Sequence, residues 1–209
     1  MTRSMVLVGL AWLLLSLGLG VALFHWRTGL VEAVLPLLAW VVEQVETRMT
    51  IAGFTIIQRG SEQLLELRLV CDHPITLYGR EFPYMDVSAT TLVTHALQHY
   101  FIVGLALLSG LLLAPRRGLR LLPLLLVGLL LSLMLDLPFT LLGSIEGLLL
   151  EHLAPQQLNS HPLVFWERFM TQGGRMVTAL GISLLCLNLA GVQLPRWQTG
   201  SPQPQKSAV

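Results

Sequence analysis

Apolar residues fill four long stretches of this chain and thin out between them. Met5 to Phe24 is free of charge, and Ala96 to Ala114 follows it. Leu121 to Leu142 is the third stretch, interrupted by Asp136 and Pro138, and Met176 to Leu194 is the fourth. A helix needs roughly 20 apolar residues to cross a bilayer core, so the pattern predicts four transmembrane helices. A cleaved signal peptide would have an apolar region of about 7–15 residues followed by small residues. The first run is longer and ends in Phe24-His25-Trp26-Arg27, which predicts an uncleaved anchor. Between the second and third spans, Pro115-Arg116-Arg117-Gly118-Leu119-Arg120 reads as a tight turn that forces an antiparallel hairpin.

A different period governs the segment after the first span. Thr28 to Thr47 is apolar between Glu32, Glu43 and Glu46 and predicts an amphipathic helix kinked at Pro36. It lies on the membrane surface or is buried in an external domain. Leu65-Glu66-Leu67-Arg68-Leu69 alternates strictly, as a half-buried strand does. Phe54 to Gln58 is β-rich, and Arg59-Gly60-Ser61-Glu62 supplies a turn, so a β-hairpin is expected. A short third strand is expected at Ile75 to Tyr78, ended by Gly79. A lone hairpin is marginal in water. The edge carrying Leu65, Leu67 and Leu69 is therefore a candidate docking strand for another chain, unless the protein covers it itself.

The fold class that follows is mainly α: a polytopic membrane protein with four transmembrane helices and a small external α+β module, an amphipathic helix plus a β-hairpin. Its expected parts are an anchor helix over 1–25, the module over 26–95 and a three-helix membrane region over 96–195. That region contains the arginine turn 115–120 and an external loop 143–173, and a disordered tail occupies 196–209. Basic residues in short loops set orientation. Arg3, the three arginines of the turn, and Arg196 and Lys206 all fall on one side of a four-span chain. Both termini are thus expected on the cytoplasmic side. Trp26, Trp40, Trp166 and Trp197 are placed as interfacial anchors.

Composition agrees. Of 209 residues, 54% are hydrophobic and 12% charged, about half the charge of a soluble domain. A net charge of +1 gives no reason to expect nucleic acid as a partner. Cys71 and Cys186 fall in different compartments and form no CxxC pair, so neither a disulfide nor a zinc ribbon is expected.

Candidate chemistry is sparse. His95 and His99 share one helical face at the outer end of the second span, where they suit a metal or haem iron, or simply cap the helix. Asp136 inside a span is costly and should face the bundle. Arg175 opens the fourth span, and His99 lies near the same depth. Asp136, Arg175 and His99 are therefore expected to form one intramembrane polar cluster, either as a register-setting ion pair or as a functional site. His152, His161, Glu146, Glu151 and Glu167 lie in the second external loop without a fixed spacing. Gly173-Gly174-Arg175 allows close backbone approach but is no phosphate loop, and HExxH and GxSxG are absent. Cys71-Asp72-His73 is a weak nucleophile candidate.

Two stretches carry a resemblance. One is His95-Ala96-Leu97-Gln98-His99-Tyr100, leading through an apolar helix to Leu113-Ala114-Pro115-Arg116-Arg117. The other is Phe165-Trp166-Glu167-Arg168-Phe169-Met170-Thr171-Gln172-Gly173-Gly174-Arg175. With the chain's size and four-span layout, these resemble the small accessory membrane proteins encoded with bacterial exosortases, enzymes that process sorting-signal tails of exported proteins. The resemblance implies a non-enzymatic accessory or scaffold role in the bacterial inner membrane, with no catalytic residues and no cofactor. The implied partners are another integral membrane protein or an exported protein, besides the lipid bilayer. The exosortase itself fits less well. It implies twice as many spans and a Cys, Arg and His at the outer face, whereas Cys186 lies mid-span and Cys71 outside any span. A small membrane enzyme or metal or haem protein using His95, His99 and Asp136 is the alternative. A transporter is a third reading, weakened by the small number of spans and their scant polar lining.

Overall fold

The computed structural model describes residues 3–71, 73–82 and 84–192. It is mainly helical, with one small sheet and a separate short hairpin. The helices are α1 (Arg3–Glu32), α2 (Leu35–Val45), α3 (Val93–Leu113), α4 (Pro115–Leu153), α5 (Pro162–Phe169) and α6 (Arg175–Leu189). Three of them are long and apolar enough to cross a membrane, over Val6–Glu32, Val93–Leu112 and Arg120–Leu153. With its 15 residues, α6 is shorter than a full crossing. It packs along α3 and α4. The expected end of the fourth span at Leu194, Trp197, the basic residues Arg196 and Lys206, and the 196–209 tail lie outside the described residues, as does Asp72.

Two helix boundaries differ from the sequence reading. The 115–120 segment is not a turn but the start of α4, and Ala114 alone separates α3 from α4. Pro115 is tolerated because the first N–H of a helix has no partner to lose. Nor does α4 stop near Leu142; it runs on to Leu153 and absorbs the first part of the expected external loop. Pro123 and Pro138 both lie inside it. Pro138 removes one ladder bond, and close by the Leu135 carbonyl accepts the indole Nε1–H of Trp166 at 2.8 Å. The 34 residues of Arg120–Leu153 span roughly 51 Å, against a bilayer core of about 30 Å. α4 is therefore about 20 Å longer than a crossing requires, and α2, α5 and β5 pack against it.

Ala33 and Val34 interrupt the helical run, and α2 restarts with Pro36 in its first turn. Leu38, Val41 and Val42 of α2 are buried while Trp40 is exposed, the amphipathic pattern expected. The sheet comprises β1 (Thr50–Arg59), β2 (Glu62–Cys71) and β5 (Met85–Leu92), all antiparallel in the order β1-β2-β5. Gly60 at φ 63° begins the two-residue turn between β1 and β2, the position where a II′ turn calls for glycine. The expected third strand exists as β3 (Ile75–Leu77), but it pairs only with β4 (Arg80–Phe82) and not with the β1–β2 hairpin.

This topology corrects the docking-strand expectation. Leu65, Leu67 and Leu69 lie on β2, the central strand, and are at most 1% exposed. Their side chains join Val31, Leu38, Val42, Leu141 and Ile145 in one continuous core. The free edges belong to β1 and β5. β5 also runs straight into α3, Leu92 ending the strand and Val93 opening the helix.

Candidate functional site: a buried polar seam, a charged staple and an open cleft

Ser132, Asp136, Thr140 and Ser144 recur every four residues on α4, so they share one face of that helix. α3 sets His99 against this face, and α6 sets Arg175 there. Asp136 Oδ2 lies 2.8 Å from His99 Nε2 and 2.8 Å from Arg175 Nε. Thr140 Oγ1 donates to Asp136 Oδ1 at 2.8 Å. His99 and Asp136 are wholly buried, and Arg175 is 4% exposed. The three residues expected to cluster are thus brought together.

A carboxylate facing a guanidinium only accepts, so the proton of the His99–Asp136 bond sits on Nε2. The imidazole is held in one orientation, with Nδ1 on its far side. His99 Nδ1 and Arg175 Nη2 are buried without a hydrogen-bond partner among the described residues. An imidazole so oriented is a proton acceptor or a single metal ligand in kind. The His95–His99 pair is not convergent: His95 Nδ1 bonds Thr91 Oγ1 at 2.9 Å, while His99 turns to Asp136. Among the described residues, no three His, Cys, Asp or Glu side chains gather to hold a metal. Cys71 is buried, with its Sγ 3.2 Å from the His73 carbonyl oxygen.

A second cluster has no sequence signature. Arg48, just before β1, donates from Nη2 to Glu46 Oε2 and to Glu146 Oε2, both at 2.8 Å. The phenol of Tyr78 donates to Glu146 Oε1, and His161 Nε2 lies 3.6 Å from the same oxygen. Glu146 is 2% exposed. Hydrogen bonds to Glu46 and then Glu146 hold the Arg48 guanidinium well above its ordinary range. Burial, and then the bond to Glu146, push the Tyr78 phenol up to about 12. Tyr78 adopts φ 50° in the β3–β4 turn, a left-handed conformation that bulky residues rarely take. Five groups, from the α2–β1 connection, the β3–β4 turn, α4 and the residue before α5, are thus gathered towards the C-terminal end of α4.

Beside the staple lies an open cleft of about 530 Å³. One wall is Ser88, Ala89 and Thr90 of β5; α4 supplies Ser144, Gly147 and Glu151, and α5 supplies Glu167 and Arg168. Ser144, which lines the cleft, lies one turn beyond Thr140 on the face of α4 that carries the seam, and its Oγ donates to the main-chain carbonyl of Thr140 at 3.0 Å. Gly143 sets the cleft floor. A Cβ there would come within 2.4 Å of the Leu163 carbonyl oxygen and 2.7 Å of Glu167 Cβ. Gly143→Ala is therefore expected to force α5 off α4 and cost about 1–3 kcal/mol. Thermal unfolding of the detergent-solubilised protein checks this, with the neighbouring Gly147→Ala as control, because a Cβ at Gly147 meets only ordinary contact. Equal effects at the two glycines would refute the clash. Of the second-loop residues, Glu146 and His161 join the staple, Glu151 and Glu167 line the cleft, and His152 Nδ1 lies 2.8 Å from the Leu148 carbonyl oxygen of its own helix.

Compared with protein-family models, curated proteins and solved structures, the chain matches none of them.

Proposed function

We propose that this chain is a four-span protein of the bacterial inner membrane that serves as a non-enzymatic accessory or scaffold for envelope export or sorting. In this reading α6 with the residues after it is the fourth span, both termini are cytoplasmic, and the α+β module stands on the outer face. One observation carries the reading: a folded module is fixed rigidly to one end of a membrane-length helix and leaves an open cleft. Arg48, Glu46, Glu146 and Tyr78 make that attachment. A protein whose work is chemistry in the bilayer has little need of such a platform, whereas one that presents a surface to a partner does. The resemblance to exosortase-associated accessory proteins points the same way and names the class of partner: an exported protein or another integral membrane protein.

The placement has a direct test. Cys71 and Cys186 are both buried, so the parent chain should react poorly with a membrane-impermeant maleimide. Ser61→Cys, in the exposed β1–β2 turn, is expected to label in cells whose outer membrane alone is permeabilised. A cysteine appended after Val209 is expected to label only after lysis. The reverse pattern would sink the reading. Affinity purification from cross-linked cells that returned no envelope protein would count against the accessory role.

A membrane enzyme or cofactor protein using His95, His99 and Asp136 is the second reading, favoured by the unpartnered His99 Nδ1. A colourless, metal-free preparation would remove its haem and metal forms.

A further inference from the structure

The register of the sheet decides what the cleft offers. Arg59 and Glu62 flank a two-residue turn, and in such a hairpin the flanking residues form the closing hydrogen-bonded pair. Hydrogen-bonded and non-bonded pairs then alternate along an antiparallel ladder. On β2 the main-chain groups of Glu62, Leu64, Glu66 and Arg68 are turned to β1, and those of Gln63, Leu65, Leu67 and Leu69 to β5. The β5 residues opposite Leu65, Leu67 and Leu69 are Thr91, Ala89 and Val87. It follows that Asp86, Ser88, Thr90 and Leu92 turn their N–H and C=O groups outward, away from the sheet. Ser88 and Thr90 line the cleft. Among the described residues no main-chain bond outside the β2 ladder reaches β5.

The charges of the cleft are uneven. Glu151 and Glu167 line it and form no ion pair with a described residue. Arg168, the cation on the same wall, donates to Asn159 Oδ1 at 2.8 Å. Asp86, at the start of the same edge, is taken by Arg68, whose hydrogen bond holds its carboxyl below the usual carboxylate range. Two uncompensated carboxylates thus stand across from an unfilled strand edge.

We infer that the cleft takes an extended polypeptide segment bearing a basic side chain, which adds to β5 as a fourth strand. Its main chain pairs with Ser88 and Thr90 at the ordinary spacing of about 4.8 Å, and its cation reaches Glu151 and Glu167. Backbone pairing supplies affinity and the side-chain site supplies choice, as in strand addition generally. The inference deepens the accessory reading and rests on it for the origin of the segment, but the groove chemistry is tested on purified protein alone.

The experiment uses the full chain in detergent and a fluorescent, end-capped octapeptide of alternating threonine and valine with one central arginine, read by anisotropy against empty micelles. Saturable binding is expected. Methylating alternate peptide nitrogens, or exchanging arginine for glutamate, is expected to weaken it at least about tenfold. Thr90→Pro removes one outward N–H at a position where an edge strand tolerates proline, and should weaken binding by a similar factor. Glu151→Gln with Glu167→Gln should erase the preference for arginine over glutamate. No saturable binding, binding indifferent to N-methylation, or equal binding of the arginine and glutamate peptides would each overturn the inference. If Thr90→Pro fails to fold, the methylated peptide still decides the backbone contact. A module labelled only from the cytoplasm, with peptide binding intact, would overturn the accessory reading and leave the groove standing.

Discussion

Replacing Arg175 by methionine should destabilise the helical bundle by about 3–5 kcal/mol, the usual cost of removing one partner from a buried ion pair. Methionine keeps the length and apolar stem of arginine, so little packing is lost. Asp136 is then left as a buried carboxylate that keeps the His99 and Thr140 hydrogen bonds but has lost its guanidinium. Adding Asp136→Asn to the Arg175→Met chain should restore most of the loss. Asparagine is uncharged and still offers an oxygen to its neighbours. Asp136→Asn alone leaves the Arg175 charge without its counterion and should cost nearly as much as Arg175→Met. Unfolding by sodium dodecyl sulfate added to mild-detergent micelles, followed by near-ultraviolet circular dichroism, measures all three variants. Additive losses in the double variant would show that the pair is not the source of the effect.

Glu146→Leu should release the α+β module without unfolding the long helices. The carboxylate receives two bonds from Arg48 and one from Tyr78, and bonds to charged groups are worth about 1.5–3 kcal/mol each. Arg48 is partly exposed and keeps Glu46, so solvent and the second acid discount its share. The net loss is about 3 kcal/mol, confined to the module. Tyr78→Phe removes one of these bonds and should cost about 1 kcal/mol. Hydrogen exchange reads the difference: amides of β1 and β2 should exchange at least about a hundredfold faster in Glu146→Leu, while those of α3 and α4 stay protected. Uniform acceleration in both regions would mean that module and bundle open as one unit.

Three membrane-length helices and the seam are legible in the sequence because each rests on local signals. Long apolar runs announce membrane helices, and the cost of burying Asp136 in lipid identifies Arg175 as its natural counter-charge. The four-residue recurrence of Ser132, Asp136, Thr140 and Ser144 was equally present and would have marked the inner face of α4. Its length is hidden by the Pro115-Arg116-Arg117-Gly118 segment, which reads as a turn, and by Gly143, Ser144 and Glu146, which read as the start of a loop, although the helix runs through both. β5 was hidden by its composition. Val87, Ala89 and Thr91 alternate with Asp86, Ser88 and Thr90, but small and polar side chains give little hydrophobic contrast. Missing β5 made β2 look like an edge, and so misplaced the docking strand onto Leu65, Leu67 and Leu69. The staple was beyond sequence reasoning, since Arg48 and Glu146 are 98 residues apart and nothing local to either foretells the other.

That separation also governs the order in which the protein can be made. All three strands of the sheet are synthesised before α3, and α4, which supplies Glu146, follows α3. While the ribosome adds those two helices, the sheet has its ladder and α2 but not the support of α4. Leu65, Leu67 and Leu69 then have Val31, Leu38 and Val42 for company but lack Leu141 and Ile145, which complete their cover. Slow, non-local closure of this kind exposes a chain to misassociation. The module therefore has an interval of vulnerability set by the time needed to translate α3 and α4, and its yield should depend on elongation speed more steeply than that of the long helices.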